Sequence, residues 1–135
     1  MPRAAQPNIP LLVVGRSQQS IPWIAEHGQA WITYPRPLQF QAQITAAWQA
    51  AVKETGKVEE KPFAQSLYVD LVDDPNTPAR SIHVGSRSGR NHLFHHLNEL
   101  HKIGVSHVAL NLKYGSRPAK EVVQEIGEYV IPQLG

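Results

Sequence analysis

Four short apolar runs, each followed by a segment of helical periodicity, constrain this chain more than any other feature. The first run, Ile-Pro-Leu-Leu-Val-Val over residues 9–14, stops at Gly15. A β-branched run of that length closed by glycine reads as a strand buried on both faces. Ser20 can cap a helix with Pro22 in its first turn, Ile21, Ile24 and Ala25 on its apolar face, and Gly28 at its end. Residues 30–34 form a second extended run, stopped by Pro35 and Pro37. Then Ile44, Ala47, Trp48, Ala51 and Val52 recur at the spacing of one helix face, and Gly56 closes that helix.

A charged linker over 56–62 leads to a third strand over 63–72, with Phe63, Leu67, Val69 and Leu71 on one face. Asp73-Asp-Pro-Asn-Thr-Pro78 is turn chemistry rather than a paired-carboxylate site. A short extended piece over 81–84 enters Gly85-Ser-Arg-Ser-Gly-Arg90. Leu93, Leu97 and Leu100 mark a third helix, ended by Gly104 and capped by Ser88 or Asn91. Residues 105–112 are the fourth strand. Pro118 opens a last helix bearing Val122, Val123, Ile126 and Val130, which Pro132 ends. The expected class is therefore α/β, with four consecutive βα units on a parallel sheet. The whole of 1–135 reads as one domain.

Composition narrows the function. A chain of 135 residues is large enough to bury a core. It has no cysteine, which excludes a disulfide scaffold and thiolate chemistry. Thirteen basic residues stand against 11 acidic ones, without a basic run, and the arginines lie beside Gly, Ser or Pro. That scatter fits loops facing small anions rather than a surface tracking nucleic acid. The first residues lack an apolar core for a secretory signal, and the longest apolar run, Leu11-Leu-Val-Val14, cannot span a bilayer. The expectation is a cytoplasmic protein without a membrane segment.

In parallel α/β sheets, ligands gather at the carboxyl ends of the strands. At the first such end, Gly15-Arg-Ser-Gln-Gln-Ser20 combines a turn glycine, hydroxyls, a cation and a helix start. These residues suit a phosphate cradle or, equally, an ordinary strand-to-helix turn with Ser20 as cap. Gly85-Ser-Arg-Ser-Gly-Arg90 reads as a solvated glycine-rich loop, with phosphate contact as the alternative. His92 and His96 lie one helical turn apart with Glu99 nearby, but they flank the Leu93/Leu97/Leu100 face and are expected to be a solvated helix flank, not metal ligands. Trp23, Trp31 and Trp48 are expected to pack. Asn111 interrupts an apolar strand at its carboxyl end, where a polar group needs a partner: a structural hydrogen bond or a ligand.

Several of these stretches together resemble a known family. Ile9-Pro-Leu-Leu-Val-Val-Gly-Arg-Ser-Gln-Gln-Ser20, Trp23-Ile-Ala-Glu-His-Gly28, Ala30-Trp-Ile-Thr-Tyr-Pro-Arg36, Ile82-His-Val-Gly-Ser-Arg-Ser-Gly-Arg90 and Gly104-Val-Ser-His-Val-Ala-Leu-Asn-Leu112 look like the C-terminal half of luciferase-like flavin monooxygenases. The match runs collinearly from Pro7 to Leu134. Gln29 departs from the aspartate that commonly precedes the Gly/Ala-Trp pair there (Ala30-Trp31 in this chain), which is expected to weaken a loop contact.

The resemblance implies the last four βα units of a TIM-type (β/α)8 barrel, that is, half a barrel. It implies FMN, or a deazaflavin in sister groups, with Gly15, Arg16, Ser17, Gln18 and Gln19 at the cofactor phosphate. Tyr34, Arg36 and Asn111 become candidates for the substrate or cofactor face. The implied reaction is activation of dioxygen by reduced flavin on a small organic substrate, the flavin carrying the hard chemistry. Length bears on this, since a complete barrel needs roughly 200 residues or more. The half-barrel is expected to pair with a copy of itself or with a separately encoded N-terminal half. The alternative is an inactive remnant or assembly module that binds no flavin.

Overall fold

The computed structural model describes residue 3 and residues 5–134. Short strands β1 (Leu12–Val14) and β2 (Ala30–Thr33) flank helix α1 (Ile21–His27), and helix α2 (Leu38–Glu54) leads to the long strand β3 (Phe63–Leu71). Strands β4 (Arg80–Ile82) and β5 (Gly85–Ser88) form a hairpin before helix α3 (Arg90–Lys102). Strand β6 (His107–Asn111) and helix α4 (Ala119–Glu125) follow. A π turn (Ile126–Val130) and helix α5 (Ile131–Leu134) complete the described chain. Among the described residues, no helix is long and apolar enough to cross a membrane.

Strand β3 is the spine of the sheet. β2 pairs in parallel with Phe63–Gln65, and β5 in parallel with Tyr68–Leu71. β6 pairs with Ala64–Tyr68, overlapping both, so β2 and β5 must share one edge of β3 and β6 must take the other. β1 lies outside β2, also parallel.

Helices cover one face of this sheet. Trp31 and Phe63 meet edge to face at 5.5 Å, Trp48 tilts against Trp31 at the same separation, and Ile24, Ala25, Leu100 and Val105 fill the cluster around them. A second cluster joins Leu67, Val69 and Leu71 to Leu93, Leu97, Val122, Ile126 and Val130. The alternating residues point the other way. On that open face Leu12 and Val14 are 56% and 57% exposed and Tyr34 is 63% exposed.

Several expectations need correction. The run over 9–14 is strand only at Leu12–Val14 and is not buried on both faces: Val13 alone is buried, because helices cover just one side. The stretch Gly85–Arg90 is not a solvated loop. It is strand β5 plus the start of α3, with Ser88 buried, and neither Ser88 nor Asn91 caps α3. A Cβ on Gly85 would lie 1.9 Å from the Tyr68 carbonyl, so this glycine permits close approach to β3. Trp23 is half-exposed and stacks on His27 at 4.3 Å rather than packing in the core.

Pro132 does not end the last helix. The Ile131 N–H bonds to the Ile126 carbonyl, the wider π spacing, and α5 continues through the proline. In an α-helix the proline ring would meet the carbonyl four residues earlier, and a π turn just before it relieves that conflict. Pro132→Ala is expected to restore regular helix and stabilise the fold by about 1 kcal/mol. A higher urea midpoint with increased helical circular dichroism checks it.

Candidate functional site

The carboxyl ends of the parallel strands carry the chemistry, beginning with the loop after β1. The Gly15 N–H donates to the Ile32 carbonyl at 2.8 Å, anchoring the loop to β2. The Gly15 carbonyl accepts from the Trp31 indole Nε1 at 2.6 Å, so a core side chain fixes the loop from below. Gly15, Ser17 and Gln18 all sit in the left-handed region, at φ of 61°, 48° and 59°. For the two residues bearing a Cβ this conformation costs on the order of 1 kcal/mol each. The Gln19 N–H closes the turn on the Arg16 carbonyl, while among the described residues no backbone acceptor takes the N–H groups of Arg16, Ser17 or Gln18. The Ser17 hydroxyl donates to the Val14 carbonyl at 3.3 Å, and Ser20 caps α1 by accepting from the Trp23 N–H.

These residues fit an anionic group. Three consecutive N–H groups are unused, the Arg16 side chain is exposed beside them, and a Cβ on Gly15 would meet nothing within 4 Å. Gln29 lies at the opposite, amino end of these strands, where its side-chain oxygen accepts from the Leu11 N–H and its backbone N–H reaches the Leu11 carbonyl.

Tyr34 projects from the end of β2, exposed on the open face. Arg36 does not share its surroundings. Its guanidinium donates to the Gln41 Oε1 at 3.3 Å and to the Tyr34 carbonyl at 3.4 Å. Gln41 is fully buried and donates in turn to Gln65 Oε1 at 2.8 Å and to the Thr33 hydroxyl.

Asn111 corrects the expectation of a buried polar group. β6 alternates between exposed and half-buried positions, and Asn111 is exposed. Its side-chain oxygen accepts from the Lys113 N–H at 3.0 Å, a local turn contact. Asn111 pairs in register with Tyr68, whose ring lies tilted against Tyr114 at 4.9 Å. Among the described residues, no hydrogen bond or ion pair joins Arg16–Gln19 to Tyr34, Arg36 or Asn111.

The polar group that sequence reasoning missed is Asp70. Only 1% exposed near the end of β3, it accepts from Arg87 Nε at 2.6 Å, and from the Ser116 N–H and hydroxyl at 3.1 Å each. Burial alone would raise its carboxyl pKa, but the Ser116 backbone N–H, the Arg87 guanidinium and the Ser116 hydroxyl outweigh it and hold it below the ordinary value. Asp70 thereby ties the hairpin and the β6–α4 loop to the spine. The signal was present in the sequence: a carboxylate inside Leu67-Tyr-Val-Asp-Leu-Val72. Nearby, Glu125 accepts from Arg90 at 3.0 Å and from Arg117 at 2.6 Å, fastening the start of α3 and the β6–α4 loop to α4.

No family model matches the chain, and no curated protein matches it. Among solved structures, it is similar to an F420-dependent secondary alcohol dehydrogenase in complex with an F420–acetone adduct. The TM-score is 0.69 at 13% identity, over 95% of this chain and 49% of that one. This chain thus spans about half the length of the structure it matches. The likeness establishes the fold: a mixed α/β half-barrel of the kind found in a TIM-barrel-type enzyme.

Proposed function

We propose that this chain is the half of an oxidoreductase barrel that holds the phosphate of a flavin-type cofactor, equivalent to the last four βα units of a luciferase-like barrel. The observation that carries this is the loop after β1. It spends backbone strain at Ser17 and Gln18 while leaving three consecutive N–H groups beside Arg16 without a partner. Strain kept at the carboxyl end of a parallel strand is most readily understood as pre-organisation for a ligand.

In this reading the N–H groups of Arg16, Ser17 and Gln18 bind phosphate oxygens, and the Arg16 guanidinium supplies charge. Gly15 lets the backbone turn toward the ligand, Gln19 closes the loop, and Trp31 keeps it in register. When bound, the flavin or deazaflavin supplies the redox chemistry. Between FMN and a deazaflavin, the similarity to an F420-dependent dehydrogenase supports the deazaflavin, and hydride exchange with a small alcohol or ketone, over a dioxygen-using monooxygenase. Tyr34 and Asn111 face the open side, where substrate and ring would lie. That side is covered by a second half-barrel, which excludes water from the reacting atoms. The exposure of Leu12, Val14 and Tyr34 supports this arrangement.

Titration with FMN and with F420, followed by cofactor absorbance and fluorescence, tests the reading. Arg16→Ala combined with Ser17→Ala is expected to weaken binding by at least tenfold without loss of fold. Unchanged affinity in that variant would defeat the cradle assignment. A second reading, an assembly module without cofactor, is favoured by the coverage of only 49% of the similar structure. It predicts no uptake of either cofactor at any protein concentration.

A further inference from the structure

On the edge of β3 shared by β2 and β5, the two partners do not meet. β2 leaves after Gln65 and β5 arrives at Tyr68, so the sheet splits beside Ser66 and Leu67. A crevice of about 430 Å³ opens at this split, between the start of α2, the β4–β5 hairpin and α3. The crevice lies beyond the carboxyl end of β2, and ligands of parallel α/β sheets gather at the carboxyl ends of strands. The volume lies in the range of small-molecule pockets.

Its lining is one-sided in charge. Arg36 from the β2–α2 connection, Arg80 from β4, and His92 and His96 from α3 all line it, with no acidic side chain among the described lining residues. Arg80 has no ion-pair or hydrogen-bond partner among the described residues, so its charge is not neutralised within the chain. Arg36 is held from behind by buried Gln41, which is itself held by Gln65 and Thr33. Burying two glutamines is costly unless each is satisfied, and here the satisfied chain ends by fixing a guanidinium at the crevice wall. The unused N–H groups of that guanidinium remain free to donate. Leu38, Leu67, Ile82 and Leu93 supply apolar wall.

The geometry points to a binding site for a small amphiphilic organic anion, with a phosphate or carboxylate head on Arg36 and Arg80 and an apolar body against Leu67 and its neighbours. Planar guanidinium forks suit either head. His92 and His96 close the far side as additional donors. This site does not use the loop after β1, and it stands or falls separately from the cofactor reading.

Phenyl phosphate and 3-phenylpropionate serve as the two probes, with inorganic phosphate as the head alone and benzyl alcohol as the body alone. Binding is followed by NMR on the Arg Nε–H and His ring signals. Saturable shifts sharing one midpoint at Arg36, Arg80, His92 and His96, distinct from that of any shift at Arg16, are expected, with at least one organic anion binding tenfold or more tightly than inorganic phosphate. Whichever anion is tighter identifies the head. Burial holds the His96 imidazole below its ordinary pKa, and the bound anion is expected to move it upward.

Arg36→Gln and Arg80→Ala are each expected to weaken binding at least tenfold. Arg80 has no partner whose loss would disturb the fold, so its variant keeps the test decisive. Unchanged affinity in Arg80→Ala, equal shifts at remote rings such as His101 and His107, or benzyl alcohol binding as tightly as the anions would each overturn the assignment.

Discussion

Replacing Trp31 by alanine is expected to destabilise the protein by about 3–5 kcal/mol, the range for deleting a large buried aromatic. Trp31 has no exposed surface, and it joins Trp48 and Phe63 in the cluster where α1, α2 and the sheet meet. The neighbours belong to several different elements, so collapse into the vacancy is limited. The indole also holds the Gly15 carbonyl. Trp31→Phe separates the two roles. It keeps most of the packing and loses one hydrogen bond, expected to cost about 1–2 kcal/mol. Urea denaturation measures both losses. Hydrogen exchange at the hydrogen-bonded Gly15 and Gln19 amides should rise in Trp31→Phe even where the core stays protected; unchanged exchange there would show that the indole does not fix the loop.

Asp70→Asn is expected to cost about 2–4 kcal/mol. The substitution keeps the shape of the side chain but removes the charge that three donors converge on. Its amide oxygen can still accept from Ser116, while its NH2 confronts the Arg87 N–H, donor against donor. Arg87 is half-exposed and regains water, which keeps the loss below that of a wholly buried pair. The pH dependence has a definite sign. Because folding lowers the Asp70 pKa, its contribution is fully present above the unfolded value near 3.8 and fades as pH falls through the lower folded value. Wild type should therefore lose stability relative to Asp70→Asn as pH drops below about 4. Parallel stability curves for the two proteins in that window would count against the assignment.

The helices were legible because their signals are local. Ser20 and Pro22 open α1 and Gly28 closes it, and the spacing of Ile44, Trp48 and Val52 marks α2, each readable within a few residues. The β4–β5 hairpin was not legible. Gly85-Ser-Arg-Ser has no β-branched residue, and it becomes a strand only because β3 offers it an edge. The site shows the same division. The turn after β1 was readable, as a strand-to-helix connection capped by Ser20, from its glycine and serines. Weighing Asn111 as a polar interruption in an apolar strand was the right test applied to the wrong residue: the same test at Asp70 finds a carboxylate that the fold buries. What separates the two is that the hairpin's Arg87 and the β6–α4 loop's Ser116 close over Asp70 in the central strand while Asn111 stands exposed on the edge strand β6, and neither condition is written in the local sequence. Arg36, grouped with Tyr34 by position, is drawn into other surroundings by Gln41, a contact that only the docking of α2 creates.

The arrangement around β3 bears on how the chain assembles. β1 and β2 contribute three and four residues, too little to persist as a separate parallel pair. β5 and β6 likewise reach the sheet only by pairing with β3. Apart from the β1–β2 pair and the β4–β5 hairpin, each too small to persist alone, every strand pairing in the sheet runs through this one strand. The two apolar clusters, which look like separable nuclei, are thereby joined through β3, and a single cooperative transition is the expected melting behaviour.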